Sequence, residues 1–118
     1  MRENKKTGDY GEKLAAEYLA EKGYEILETN FRRRTGEIDI VAKDGAYHVF
    51  IEVKLRKGIG MGYPREAVGR VKQEKLRKAA LLYLSENRIG LPDVRFDVIE
   101  IICGNDNKTE IEHIENAF

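Results

Sequence analysis

The stretch Glu37-Ile38-Asp39-Ile40-Val41-Ala42-Lys43-Asp44-Gly45-Ala46-Tyr47-His48-Val49-Phe50-Ile51-Glu52-Val53-Lys54 decides the reading of this chain. It holds two hydrophobic runs of strand character, 37–42 and 47–54, on either side of an Asp-Gly step. Asp-Gly between hydrophobic runs is the strongest short hairpin signal, so a tight turn is predicted at 44–45, with strands over 36–43 and 46–55. Residues two apart share a strand face, which pairs Glu37 with Asp39 and Glu52 with Lys54. Asp39 and Glu52 stand at different distances from the turn, and a small bulge or twist is expected to bring them level. Two carboxylates and a lysine at one strand edge are costly as mere structure and make sense around a divalent cation. The competing reading is an edge strand whose alternating charges discourage aggregation or form cross-strand pairs.

The rest of the chain frames this hairpin. Its 118 residues suffice for a single domain, expected over 1–118, and 42% are hydrophobic, as in an ordered fold. No apolar run approaches the roughly 20 residues of a membrane span. Met1–Thr7 lacks an apolar signal core, and the single Cys103 lies in a strand-like run and reads as a buried small hydrophobe. His48 and His113 are isolated and read as strand surface residues, so no zinc site is expected. Together these features predict a cytoplasmic protein with no membrane partner.

Net charge is zero, yet the charges are segregated. Residues 54–78 carry nine Lys and Arg against two Asp and Glu, a local +7, and residues 97–118 carry one against six, a local −5. Arg32-Arg33-Arg34 adds a basic cluster beside Glu37. Local basic surface, more than the total, governs affinity for nucleic acid. The competing reading is a solvated helix face.

A first helix is expected from about Asp9 to Glu21, with Tyr10, Leu14 and Tyr18 in one row, Leu19 widening it and Gly23 as its stop. Glu12 falls about 20° from Leu19 in projection and flanks Ala15 and Ala16, at the border of the packed side. Tyr24–Phe31 reads as a first strand. Lys57–Pro64 alternates glycines but lacks a Gly-Lys-Ser/Thr ending, which rejects a nucleotide cofactor and leaves a loop beside the site. A second helix is expected from Pro64 to Ser85 or Asn87, with Val68, Val71, Leu76, Ala79, Leu82 and Tyr83 as its apolar stripe. Lys72 and Lys75 fall inside that stripe, with Gln73 beside it. Either they snorkel past the core edge, or this end of the helix faces carboxylates or a phosphate. Strands over 94–102, with Phe96, Val98 and Ile101 buried, and over 110–114 form a last hairpin. The order α-β-β-β-α-β-β predicts an α/β fold, a mixed sheet flanked by helices.

Asp39, a gap of twelve residues and Glu52-Val53-Lys54 resemble the core signature of the PD-(D/E)XK nuclease superfamily, which is restriction-endonuclease-like in fold. From about Thr7 to Ile114 the chain resembles the YraN-like family of small uncharacterised bacterial proteins. The most specific pieces are Gly36–Val41, Phe50–Lys54 and Lys72-Gln73 with Ala79 and Leu84 downstream. More distantly it resembles the archaeal Holliday-junction resolvases of the same superfamily. Ile38 stands where the superfamily often has proline. The resemblance implies Glu12, Asp39, Glu52 and Lys54 as a catalytic set, and Mg²⁺ or Mn²⁺ as cofactor. The metal would be held by Asp39, Glu52 and the Val53 carbonyl, with Glu37 available. It also implies nucleic acid, DNA above all, on Arg32, Arg33, Arg34, Arg56, Lys57, Lys72, Gln73 and Lys75. A branched substrate would favour a homodimer with two sites. The alternatives are a nucleic-acid-binding module or an adaptor with the same fold and no catalysis, and nothing in the chain separates DNA from RNA.

Overall fold

The hairpin forms around Gly45-Ala46. In the computed structural model, which describes residues 2–57, 69–104 and 108–118 (backbone only for 2–9 and 57), β2 runs Gly36–Asp44 and β3 Tyr47–Lys57. They pair antiparallel from Asp44↔Tyr47 to Ile40↔Ile51. The loop lies one residue later than predicted, because Gly45 takes φ +60° at its first position, where a two-residue hairpin turn wants glycine. No bulge interrupts this ladder. Continued by one residue, it sets Asp39 across from Glu52.

The remaining elements follow the predicted order: α1 (Arg2–Glu21), β1 (Glu25–Arg33), then after the hairpin α2 (Arg70–Glu86), β4 (Val94–Cys103) and β5 (Thr109–Ile114). The five strands lie in the order β1-β2-β3-β4-β5. Only β3 and β4 are parallel, and the crossover between them carries α2. The fold is the expected mixed sheet flanked by helices. Leu76, Ala79, Ala80, Tyr83 and Leu84 of α2 pack on Phe31, Ile38, Val41, Phe50 and Val98. Ala15 and Leu19 of α1 pack with Tyr24 on Ile40, Ala42, Val49, Ile51, Ile99 and Ile101. The central strands are thus covered on both faces, which is why they read as nearly continuous apolar runs. Among the described residues no helix is long and apolar enough to cross a membrane.

Several expectations are corrected. Tyr10 is exposed, and the buried row of α1 is Gly11, Ala15 and Leu19. Small residues let the helix lie close to the sheet: a Cβ on Gly11 would already touch Leu55 and Ile101 at 3.8 Å. Gly69 is extended, so α2 begins at Arg70 rather than running on from Pro64. The predicted start at Pro64, the Val68 position, the glycine loop over 58–64 and the turn over 105–107 lie outside the described residues. Val71 is exposed, whereas Ala80 and Leu84 complete the buried face. Cys103 is half-buried against the α1-side core.

The two histidines are not surface residues. His48 is buried, and burial together with Lys43 holds its imidazole below the usual value. The His113 side chain is almost fully buried, and its Nε2 lies 2.7 Å from Asp97 Oδ2. Asp97, itself inaccessible, takes two hydrogen bonds from Arg95 and one from the Asn116 N–H. Arg95 reaches on to Asp44 and the Tyr24 hydroxyl. Lys22 Nζ lies 2.9 Å from His113 Nδ1; an ammonium can only donate, so Nδ1 accepts and Nε2–H faces Asp97. The cluster belts β5 and the end of the chain to the hairpin-turn end of the sheet.

Candidate active site

The site begins with a break in strand alternation. Ile38 packs toward α2 and Ile40 toward α1, although residues two apart normally share a face. In β1 the ladder passes from Thr29↔Ile40 to Phe31↔Ile38, and Asn30 between them has φ +55°. Asn is one of the few residues that adopts that conformation readily. Asp39 therefore leaves the normal alternation, and its Oδ2 accepts a hydrogen bond of 2.8 Å from the Val53 N–H of the neighbouring strand.

Glu52 follows Phe50 on the α2 face of β3 and is only 7% exposed. Lys72, from the first turn of α2, places its ammonium on Glu52 Oε1. Burial alone would lower this lysine, but the hydrogen bond and charge of Glu52 outweigh it and hold Lys72 raised. At Asp39 the balance falls the other way. Burial, then the Glu52 charge, push its carboxyl from 3.8 to about 7 against the opposing Val53 hydrogen bond, and Glu12 and Glu37 add to the rise. Glu12 acts from α1 on the other side of the sheet, where it lines a cavity with Ala16, Thr29 and Asn30. The position of Glu12 at the edge of the packed side agrees with its projection.

The structure thus brings together Asp39, Glu52, Val53 and Lys72, with Glu12 and Glu37 close enough to act through charge. Lys54 follows Glu52 by two residues and is half-buried, its backbone level with Glu100 of β4. Among the described residues no three His, Cys, Asp or Glu side chains converge as a metal-holding group. The pair of Asp39 and Glu52 nevertheless fits a hard cation. Mg²⁺ is commonly held by one or two carboxylates, with waters and substrate phosphate oxygens completing its shell. A buried carboxyl raised by a second negative charge is a group that a cation would stabilise in its ionised form.

A cleft of about 630 Å³ opens beside Glu52, between the β1–β2 turn and α2. Arg34, Lys72 and Lys75 line it, as do Glu37, Val71 and Leu76. Arg33 also borders it but is held by Glu86 in a two-pronged pair of 2.9 and 2.7 Å and lies over the Phe31 ring. Arg32 turns to Glu37 at 3.7 Å, and Arg56 to Glu100 at 3.3 Å. Gln73 is half-buried outside the cleft lining, and Lys57 ends β3 with its side chain outside the described set. Sequence reasoning missed Glu100, a carboxylate 1% exposed beside Lys54 and Arg56. The signal was present: Glu100 has the parity of Phe96 and Val98, the positions expected to be buried.

Comparison with known proteins gives one family. The family described as "Uncharacterised protein family UPF0102" matches residues 11–101. A UPF0102 protein of Acetivibrio thermocellus is 52% identical over 116 residues, covering 94% of this chain and 89% of the relative. One from Thermodesulfovibrio yellowstonii is 57% identical over 111 residues, 94% of each chain. One from Rhodococcus opacus is 45% identical over the full length of both.

Proposed function

The chain belongs to the uncharacterised protein family UPF0102, the YraN-like family, and from that premise we propose that it is a metal-dependent endonuclease acting on nucleic acid, with DNA as the first candidate. One observation carries the reading: buried Glu52 lines a cleft together with Arg34, Lys72 and Lys75, and the half-buried Asp39 stands close enough behind it to feel its charge. Binding nucleic acid needs only the basic groups. Carboxylates facing a phosphate track are costly unless a cation is to be held between them and the phosphate.

When bound, Mg²⁺ or Mn²⁺ supplies charge neutralisation at the phosphoryl oxygens and lowers the pKa of a nearby water. Asp39 and Glu52 would hold that ion, with the Val53 carbonyl as a third donor and Glu12 and Glu37 supplying further negative charge. The Val53 N–H orients the Asp39 carboxylate. Lys54 stabilises charge developing on the phosphoryl group or holds the attacking water. Lys72, exchanging Glu52 for phosphate, and Lys75 and Arg34 position the backbone without reading its sequence. A branched substrate has two strands to cut, which a two-fold dimer would serve.

The test is cleavage of a labelled panel with Mg²⁺ or Mn²⁺: linear duplex, single strand, flap, four-way junction and RNA. Wild type is expected to cut one class, with cutting lost in Asp39→Ala and Lys54→Ala. Undiminished cutting in either variant would sink the assignment. The second reading, a binding module or adaptor of the same fold, draws on the lack of a third converging carboxylate among the described residues. Binding of the panel with no cutting at all would favour it.

A further inference from the structure

Val71 belongs to neither apolar core among the described residues. It lies in the first turn of α2, among Arg70, Lys72 and Gln73, and is 68% exposed. It lines the cleft beside Glu52, together with Leu76 and two residues without side chains, Gly36 and Gly69. Arg34, Lys72 and Lys75 line the same cleft, with Lys75 one helical turn after Val71. Arg33 borders the cleft with its guanidinium paired to Glu86.

We infer that this cleft is a subsite for one unpaired nucleotide, so that the substrate carries a single-stranded segment next to the phosphate that is cut. A paired duplex shows a protein mainly its phosphates and groove edges, and its base faces are stacked inward. A surface that only tracks duplex phosphates needs basic side chains and gains nothing from an exposed valine. An unpaired strand offers phosphate, sugar and a bare base face at once. The cleft matches that combination: three cationic side chains and, among them, an exposed β-branched apolar side chain with Leu76 in the same lining. Its volume of about 630 Å³ suits a small ligand-sized group and is far too small for a double helix. Glu52 itself lines the cleft beside Lys72, whose ammonium rests on it. That geometry sets the unpaired nucleotide next to the reacting phosphate.

The inference rests on the endonuclease reading only for what happens beside Glu52; occupancy of the cleft is read without cleavage. The experiment is fluorescence anisotropy on the full chain in EDTA, at about 0.1 M salt. The probes carry equal numbers of phosphates: a blunt DNA duplex, and duplexes with a DNA or an RNA tail of about ten nucleotides. At least one tailed probe is expected to bind about tenfold tighter than the blunt one, and which tail does so identifies the sugar. Val71→Asn, an exposed change that leaves both core clusters intact, and Lys75→Gln are each expected to bring that preference to within about twofold. Equal binding of all three probes by wild type, or an undiminished preference in Val71→Asn, overturns the subsite. A Mg²⁺ cleavage assay on the same probes separates the two readings. Tail preference without cutting upholds the subsite and removes the nuclease. Cutting of blunt duplex with no tail preference does the reverse.

Discussion

The Lys72 ammonium rests on the buried Glu52 carboxylate and so ties the first turn of α2 to β3 at the mouth of the cleft. The partners are unequal, since Glu52 is shielded and Lys72 is half in solvent. Removing the lysine strands the carboxylate, whereas removing both charges does not. Lys72→Met is therefore expected to destabilise by about 1–2 kcal/mol in EDTA. The Lys72→Met/Glu52→Gln double variant should lose less than the two singles combined, with a coupling of about 1 kcal/mol. Urea unfolding of the four proteins at neutral pH measures this, and strictly additive losses would show that the contact carries no energy.

Asp39 makes activity and stability pull in opposite directions. Its carboxyl titrates near 3.8 when unfolded and at about 7 when folded. Between those values the folded state holds the extra proton, so without a divalent ion stability falls as pH rises through that window and levels above it. The rise corresponds to at most about 4 kcal/mol. Asp39→Asn keeps an acceptor for the Val53 N–H and removes the charge. It is expected to abolish cleavage, raise stability at about pH 8 and flatten the decline seen in wild type. Mg²⁺ should correspondingly stabilise wild type more at about pH 8 than at about pH 5. Thermal unfolding across pH, with and without Mg²⁺, checks both, and a wild-type curve that rises from pH 4 to 7 would refute the assignment to Asp39.

Gly36 sets how closely α2 approaches the sheet. A Cβ there would lie 3.0 Å from the Lys75 carbonyl oxygen and 3.3 Å from Ala79 Cβ, and neither neighbour can rotate away. The helix would have to retreat, carrying Lys72 and Lys75 with it. Gly36→Ala is expected to lose about 1–3 kcal/mol, read as a fall in Tm of about 5 °C per kcal/mol. The Lys72–Glu52 coupling should shrink in the same variant. An unchanged Tm would mean that α2 is not held by this contact.

The parts of this structure that were legible in the sequence are those set by local chemistry. Asp44-Gly45 announced the hairpin, strand parity placed Glu52 and Lys54 together, and the position of Glu12 beside Ala15 and Ala16 gave its partial burial. The misreadings share a cause: a helical projection ranks residues by hydropathy and cannot see distance. Gly11 and Ala15 are weak apolar signals, yet they pack nearest the sheet, and Tyr10 is left outside. Val71 fits a helical stripe drawn from Pro64, but the helix starts after Gly69 and turns that position to the cleft. The break at Asn30 and Asp39 had one sign, an Asn inside a strand. The His113–Asp97 contact had none, because it depends on the register between β4 and β5.

Asp97 is the counterpart of Asp39 and predicts the opposite pH behaviour. It is wholly inaccessible, and burial alone would raise its carboxyl. His113, Arg95 and the Asn116 N–H outweigh burial and hold it below 3.8. Its contribution is therefore present above about pH 4 and is lost as pH falls through the folded value. Arg95 is the cation of this cluster, raised chiefly by its bond to Asp97, and its planar fork makes two bonds to that carboxylate while reaching Asp44 and Tyr24. Arg95→Met would leave a buried charge without its cation, a loss of about 3–5 kcal/mol. Arg95→Lys should recover little of it, because an ammonium cannot reproduce the fork. The cluster lies toward the hairpin turn, on the face opposite Lys72, so nucleic-acid affinity at a temperature where the variants remain folded should match wild type. Denaturant unfolding from pH 3 to 8 and anisotropy on the same samples test the two halves together. Equal loss of affinity and stability would show that the belt around Asp97 also shapes the cleft.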